Sequence, residues 1–280
     1  MFPVLFHIGS FVVHTYGVVL MLAFLVALGR TYAVAKRQAD PGIPPDSILD
    51  VGIWMIVVGV LGARLLFVII GWHDYSRAPD FPGNIFKVWE GGLSFHGGLI
   101  GGIAALLTYC LIKRLSILKV ADLFTPSVMI AYAIGRVGCF LNGCCYGAPT
   151  TMPWGVRFLD DGTGQLTPPS HPTQLYATAL ATLFFIGLVY TERHRRYLGQ
   201  VSCWFLLGTA TERFIMEIWR AGTTSDLISV GPIHFLTDVQ WLCLGIFAVG
   251  LTGMALLRRK YPVPPVAVPP HTRSAEAVAR

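Results

Sequence analysis

Seven stretches of predominantly apolar residues alternate along the chain with short polar segments. A helix that crosses the hydrocarbon core of a bilayer, about 30 Å thick, needs roughly 20 mostly apolar residues. The stretches that approach or reach this length are Phe11–Ala35, Ile48–Trp72, Phe95–Ile112, Val120–Leu141, Thr173–Tyr190, Val201–Trp219 and His234–Leu257. The pattern predicts an all-α, polytopic membrane protein with seven transmembrane helices.

Basic residues cluster after every second apolar stretch, and this sets the expected orientation. Three lie near the end of, or after, each of the first, third, fifth and seventh stretches: Arg30, Lys36 and Arg37; Lys113, Arg114 and Lys119; Arg193, Arg195 and Arg196; and Arg258, Arg259 and Lys260. Cytoplasmic loops of membrane proteins collect Lys and Arg. We therefore expect the N-terminus outside and the C-terminus in the cytoplasm. Residues 1–260 should form one seven-span domain, and residues 261–280 a proline-rich, disordered cytoplasmic tail.

Composition supports a membrane protein and gives the positive charge a meaning. The chain is 54% hydrophobic and 13% charged, with a formal net charge of +6. A soluble domain carries about 25% charged residues. Much of the excess charge lies in the loops expected to be cytoplasmic, so it predicts no nucleic-acid partner.

The loops expected outside are longer, at Gly71–Ser94 and Gly143–Pro172. Long loops often carry function, so we expect the functional surface to face outward.

Besides Arg30, which belongs to the first basic cluster, three arginines fall inside apolar stretches: Arg64, Arg136 and Arg213. On insertion scales a charge at the centre of a membrane helix costs about 2.5–3.5 kcal/mol, so such residues usually face the protein interior. Arginine stays protonated, so it cannot avoid the cost by losing its charge. Each of the three therefore needs a carboxylate, a cluster of carbonyl groups or an anionic ligand.

The sixth stretch carries the densest set of polar side chains. In "GTATERFIMEIWR", Thr209, Arg213, Glu217 and Arg220 are spaced to share one helix face. One interpretation is an internal salt bridge between Arg213 and Glu217 that only stabilises the helix bundle. The other is an anion site, because arginine binds phosphate in bidentate fashion and lipid headgroups supply phosphate. We favour the anion site.

Further polar residues lie near the outer ends of the predicted helices. His96 opens the third stretch within "FHGGLIGG", where the glycines permit close backbone approach. It can exchange a proton near neutral pH, although a lone histidine is more often structural. "HPTQLY" begins the fifth stretch, and Tyr16 lies near the start of the first. These tyrosines either line a cavity or anchor the chain at the membrane interface.

Three of the six cysteines, Cys139, Cys144 and Cys145, surround the end of the fourth stretch. They could bind a metal, but the pattern C-x4-C-C contains no CxxC spacing. They could be redox-active, but a disulfide between adjacent cysteines closes a strained ring. They could also be small residues that line a polar cavity. We favour the third interpretation and expect neither a metal nor an organic cofactor.

Several ordered motifs resemble the prolipoprotein diacylglyceryl transferase family. They are "TYG" in the first stretch, "GARLLFVI" in the second, "WEGGLSFHGGLIGG" entering the third, "GRVGCFLNG" followed by "YG", then "HPTQLY" and "RFIMEIWR". The resemblance runs from about Tyr16 to Arg220. It implies a bacterial inner-membrane enzyme with its active site toward the periplasm. Such an enzyme moves a diacylglyceryl group from phosphatidylglycerol to the lipobox cysteine of a prolipoprotein signal peptide, and glycerol phosphate leaves.

The resemblance also implies roles for individual residues. Arg136 corresponds to an arginine that binds the phosphatidylglycerol headgroup, and Arg213 to a second essential arginine. His96 corresponds to a proposed catalytic base. The remaining matches to family site positions or their neighbours are Tyr16, Asn142, Gly147, Glu217 and Arg220.

The chain departs from the family pattern at several polar positions, and no arginine follows Gly147. Cys139 and Cys144 stand where the family more often has asparagine and glutamate, and Thr209 replaces a tyrosine. The roles of those three family residues cannot be transferred. Two other functions remain alternatives: an organic-anion transporter, and a membrane thiol oxidoreductase that uses Cys144 and Cys145.

Overall fold

A computed structural model describes residues 4–8, 11–40, 42–77, 81–88, 91–159, 164–220 and 236–262 of the chain. These residues form eight α-helices and one two-stranded antiparallel sheet. The helices are α1 (Thr15–Gln38), α2 (Pro45–Ile70), α3 (Trp72–Arg77), α4 (Phe95–Ile112), α5 (Ile117–Asn142), α6 (Thr173–Arg193), α7 (Gln200–Glu217) and α8 (Asp238–Lys260). A 3-10 turn, Gly83–Phe86, precedes α4.

Six of the described helices are long and apolar enough to cross a membrane: α1, α2, α4, α5, α6 and α8. Many of their large apolar side chains are exposed, as expected for surfaces that face lipid rather than water. Helix α7 is different because it carries Glu212, Arg213 and Glu217 within 18 residues. The prediction of a helical, polytopic membrane protein is confirmed at this level.

Most element ends differ from the sequence prediction by a few residues, and the starts of the first and last long helices differ by four. The first helix begins at Thr15 rather than Phe11, because β1 (Val4–Ile8) pairs with β2 (Phe11–His14) in a hairpin that the apolar pattern concealed. His234 lies outside the described residues, and α8 begins at Asp238. The Thr237 hydroxyl accepts a hydrogen bond from the Gln240 amide and caps this helix.

Glycines bring α2 and α4 into backbone contact. A Cβ added to Gly97 would come within 2.3 Å of the Gly62 carbonyl oxygen, and one added to Gly101 within 2.5 Å of the Val58 oxygen. These distances leave no room for any side chain. The glycines of "FHGGLIGG" therefore pack two helices closely, as small residues do at membrane helix interfaces.

Helix α5 lies at the centre of the second half of the fold. It packs against α1, α6 and α7, and α7 packs in turn against α8. A core cluster built from Met129, Ala133, Ala181, Leu188 and Val201 joins α5, α6 and α7. This packing fixes the C-terminal turns of α5 and α7, which carry the arginines predicted to bind an anion.

The opposite end of α7 is held by a buried carboxylate. Asp122 of α5 accepts hydrogen bonds from the backbone amides of Gly199 and Ser202, at 2.8 Å each, and from the Ser202 hydroxyl. These bonds satisfy free amides at the start of α7 and compensate the charge of the carboxylate. Nearby, the Leu198 amide donates to the Tyr261 carbonyl, just after α8. The rest of the predicted tail, residues 263–280, lies outside the described residues.

Candidate active site

Arg136 lies two turns before the end of α5 and is half-buried. Its guanidinium sits over the ring of Tyr132, 4.9 Å from the centroid, in a cation–π contact. The Tyr132 hydroxyl donates to Oε1 of Glu212 at 2.9 Å. Glu212 lies on α7 and is buried. A polar connection therefore runs from Arg136 through a tyrosine to a carboxylate on the neighbouring helix.

Arg213 and Glu217 form the ion pair that the sequence analysis considered. Nη1 of Arg213 is 2.9 Å from Oε2 of Glu217, and the glutamate side chain is almost fully buried. The two atoms meet outside hydrogen-bond geometry, so charge rather than a directional bond holds the pair. Helix α7 ends at Glu217, and Arg220 lies beyond the following turn rather than on the helix itself.

Three arginines lie within electrostatic range of Glu212: Arg136, Arg213 and Arg220. Among the described residues of this cluster, three guanidinium groups accompany two carboxylates, those of Glu212 and Glu217, which is an excess of one positive charge. A partly exposed cluster of this sign, at the ends of two helices, is suited to bind a single phosphate anion.

Arg64 is bound by the protein itself. It donates hydrogen bonds to the carbonyl oxygens of Ile85 at 2.8 Å, Asn84 at 2.6 Å, Gly91 at 2.8 Å and Gly92 at 3.1 Å. Four backbone carbonyls thus surround a buried guanidinium. Arg64 organises the segment between α3 and α4, and four of its five N–H donors are engaged by these carbonyls.

The segment that follows α5 is held by the start of α6. The side chains of Gln174 and Thr173 donate to the carbonyl oxygens of Cys144, at 2.7 Å, and Cys145, at 3.0 Å. The Gly147 amide donates to the His171 carbonyl at 2.9 Å. A Cβ at Gly147 would lie 2.4 Å from the Trp219 carbonyl oxygen, so only glycine fits there. Gly147 is thus a packing position where the "HPTQLY" motif and the end of α7 meet.

The three cysteines meet because of the way α5 ends. Gly143 adopts a left-handed conformation with φ 82°, and its amide donates to the Phe140 carbonyl. The Cys144 amide donates to the Cys139 carbonyl at 3.1 Å. These two bonds define a Schellman motif, which brings the side chains of Cys139 and Cys144 together. Cys145 also has a positive φ, and the sulfurs of all three cysteines lie within 4.8 Å of one another.

The cysteine cluster borders the arginines. The neighbouring Cys139 and Cys144 side chains, together with the charges of Arg136 and Arg220, lower the pKa of the Cys145 thiol. Asn142, the last residue of α5, interacts with the Cys144 thiol. Tyr16 of α1 packs on Gly138 and lies within electrostatic range of Arg136 and the cysteines. Tyr16 and Asn142 therefore join the predicted site.

His96 sits apart from this cluster. It is the second residue of α4, it is exposed, and its ring meets Phe95 edge to face at 5.8 Å. Helix α4 packs mainly on α2, whereas the arginines lie on the packed pair α5 and α7. Its predicted role as a base stays a prediction.

Sequence reasoning missed four polar residues of the site: Tyr132, Glu212, Thr173 and Gln174. Glu212 is adjacent to Arg213 in the sequence, and its charge within an apolar stretch could have marked it as a site residue. Tyr132 lies one turn before Arg136, which is the spacing of a side-chain pair on a helix. The tertiary partners of Thr173 and Gln174 are backbone carbonyls of a distant loop, which no local pattern reports.

Comparisons with known proteins agree over most of the chain. The family model described as prolipoprotein diacylglyceryl transferase matches residues 3–256. Curated relatives named phosphatidylglycerol–prolipoprotein diacylglyceryl transferase include one from Idiomarina loihiensis, 35% identical over 93% of this chain and 94% of its own length. Others come from Bordetella parapertussis, 34% identical over 93% and 96%, and from Synechocystis sp., 32% identical over 93% and 92%.

Proposed function

Because the chain belongs to the prolipoprotein diacylglyceryl transferase family, we propose that it carries out the reaction for which its relatives are named. It transfers a diacylglyceryl group from phosphatidylglycerol to the thiol of the lipobox cysteine in a prolipoprotein signal peptide. The observation that carries the proposal to particular residues is that Arg136, Arg213 and Arg220 all lie within electrostatic range of the buried Glu212.

The reaction makes two chemical demands. The nucleophile is a thiolate, so the substrate thiol, with an ordinary pKa of about 8.5, must lose its proton. Its sulfur then bonds to the terminal glyceryl carbon of the diacylglyceryl group while the bond from that carbon to the phosphate oxygen breaks. Glycerol phosphate leaves with the electron pair, and its charge must be stabilised. Preorganised donors for a developing anion are worth about 3–4 kcal/mol each.

Arg136 is suited to the second demand. The Tyr132 ring supports its guanidinium from one side, with Cζ 4.9 Å from the ring centroid, and a cation–π contact leaves N–H groups of the guanidinium for a ligand. Those donors can meet two phosphate oxygens in bidentate fashion. Arg213 and Arg220 add positive charge, while Glu217 keeps Arg213 in position. The net positive charge of the cluster matches the single negative charge of a phosphodiester.

The other predicted residues take supporting parts in this proposal. Tyr16 and Asn142 border the lipid headgroup site, and Gly147 lets the outer loop pack against the end of α7. His96 accepts the thiol proton. This assignment rests on the family resemblance and on the exposure of the histidine side chain. The helix of His96 packs on α2, so contacts with the arginine cluster do not support the assignment.

The proposed setting is a bacterial inner membrane, with the arginine cluster toward the periplasm. Helix α7 would be the seventh span, its charges enclosed by α5, α6 and α8, which all pack in its vicinity. The basic clusters after alternate spans support an outside N-terminus and a cytoplasmic C-terminus. A fluorescent protein that matures only in the cytoplasm should then fluoresce when fused to the C-terminus and stay dark at the N-terminus. Equal signals from both fusions would contradict seven spans.

Purified protein in proteoliposomes tests the activity itself. With phosphatidylglycerol and a lipobox peptide, we expect a peptide heavier by one diacylglyceryl group and an equal amount of glycerol phosphate. Phosphatidylcholine vesicles are the matched control and should give little product. Peptide that gains no mass in phosphatidylglycerol, or anion flux without a lipidated product, would overturn the proposal and favour a transporter.

A further inference from the structure

Three thiols meet beside the arginine cluster. The sulfurs of Cys139, Cys144 and Cys145 lie within 4.8 Å of one another, and none of the three is in a disulfide. Two sulfurs that share a tetrahedral zinc ion at bond lengths of about 2.3 Å are roughly 3.8 Å apart. The sulfurs therefore need to move by less than about 1 Å to share one ion.

The backbone that carries these thiols is fixed by its own hydrogen bonds. The Schellman motif at Gly143 places Cys144 over Cys139, and Gln174 and Thr173 bind the carbonyls of Cys144 and Cys145. The side chains that bind a metal need to be oriented by such contacts with their surroundings. Cys139 is buried and Cys145 is exposed, so an ion has a path of entry on one side.

Charge also favours a metal here. Three thiolates with one divalent ion leave one net negative charge, and Arg136 and Arg220 interact electrostatically with Cys145. Thiolate ligands select thiophilic ions such as Zn²⁺ rather than Mg²⁺ or Ca²⁺. The spacing C-x4-C-C had argued against a metal at the sequence level, but the turn after α5 supplies the convergence that the spacing does not reveal.

We propose that Cys139, Cys144 and Cys145 bind one thiophilic divalent metal ion, with Zn²⁺ as the natural occupant and the fourth coordination position open. Three protein ligands and an open position are the arrangement of catalytic rather than structural zinc. The role that follows rests on the proposed function. The open position takes the thiol of the substrate peptide, and coordination lowers the pKa of that thiol so that its proton passes through water to His96. The resulting thiolate lies beside the arginines that stabilise the departing phosphate.

Metal binding is tested on the full chain in detergent, reduced with a phosphine and stripped with a chelator. Titration with Co²⁺, a spectroscopic substitute for Zn²⁺, should give the near-ultraviolet charge-transfer absorption of Co–thiolate bonds, saturating at one ion per chain. Zn²⁺ should abolish the absorption by displacement. Absence of the absorption, with the thiols shown to be reduced and reactive, would overturn the site.

Cysteine variants test which thiols are ligands. Cys145→Ser changes an exposed side chain and should weaken Co²⁺ binding by more than the roughly 100-fold that loss of an outer-shell partner can cost. Cys144→Ser should do the same. The matched control is Cys110→Ala, which removes a buried thiol on α4 and should leave binding unchanged. Undiminished binding by Cys145→Ser would contradict the three-thiol site.

The role in transfer is read separately. The stripped protein should lipidate the peptide at least tenfold more slowly than the zinc-loaded protein. Equal rates would overturn the role of the open position. If neither form lipidates the peptide, the proposed function fails, and the Co²⁺ titration still decides whether the metal site exists.

Discussion

Arg64, Arg136 and Arg213, the arginines in apolar stretches outside the basic clusters, are compensated in three different ways. Backbone carbonyls surround Arg64, Glu217 pairs with Arg213, and an aromatic ring supports Arg136. The carbonyls around Arg64 and the carboxylate beside Arg213 are partners that a buried guanidinium requires. The ring beside Arg136 leaves N–H donors available for a ligand. At the scale of the residue, this difference is what separates a structural arginine from a candidate for headgroup binding.

The connection from Arg136 to Glu212 gives a prediction for Tyr132. Tyr132→Phe keeps the ring below Arg136 but removes the hydroxyl that donates to Glu212. A hydrogen bond to a charged group is worth about 1.5–3 kcal/mol, so we expect kcat/KM for phosphatidylglycerol to fall roughly 10- to 100-fold. Tyr132→Leu removes the ring as well, so its kcat/KM should fall further.

The control for these variants is Tyr190→Phe, which changes an exposed tyrosine on α6 and should keep normal kinetics. A Tyr132→Leu variant with wild-type kcat/KM would show that Tyr132 does not position Arg136.

At the scale of the element, the close packing of α2 against α4 explains the glycines of "FHGGLIGG", the motif that also contains His96. Gly97→Ala would place a methyl group against the Gly62 carbonyl and force the helices apart. Overpacking of this kind costs about 1–3 kcal/mol, so we expect a melting temperature several degrees lower in detergent. Gly187→Ala on α6 is the matched control because nothing lies within 4 Å of its added Cβ.

Replacing glycine by alanine within a helix normally stabilises it, by up to about 1 kcal/mol. Gly187→Ala should therefore melt at or above the wild-type temperature. If Gly97→Ala melts there too, the α2–α4 contact does not depend on the absence of a side chain.

The helices themselves were predictable, and their ends less so. A helix such as α4 needs nothing but a continuous apolar run of the right length, and its predicted bounds, Phe95 and Ile112, are those of the structure. The hairpin before Thr15 was not predicted because its strands are short and largely apolar. They therefore do not interrupt the hydropathy pattern that leads into the first helix. The end of α7 at Glu217 also depends on contacts with the outer loop, which no local pattern contains.

At the scale of the whole molecule, tertiary packing decides what the polar residues can do. The sequence identified Arg136 and Arg213 from the cost of a charge in an apolar stretch. It could not predict that a carboxylate on α7 would interact with both, or that a turn after α5 would bring three sulfurs together. Those arrangements arise from the packing of α5 against α7 and of the outer loop against α6.

The central claim is that the arginine cluster binds the phosphate of the lipid substrate, and Arg136 tests it most directly. In proteoliposomes that contain phosphatidylglycerol, the rate of peptide lipidation should fall by at least about 100-fold in Arg136→Ala. Arg136→Lys should also be slow, because lysine lacks the bidentate fork of arginine. The control is Arg77→Ala, an exposed arginine at the end of α3, which should match the wild type. A folded, membrane-inserted Arg136→Ala protein with a near-normal rate would contradict the account.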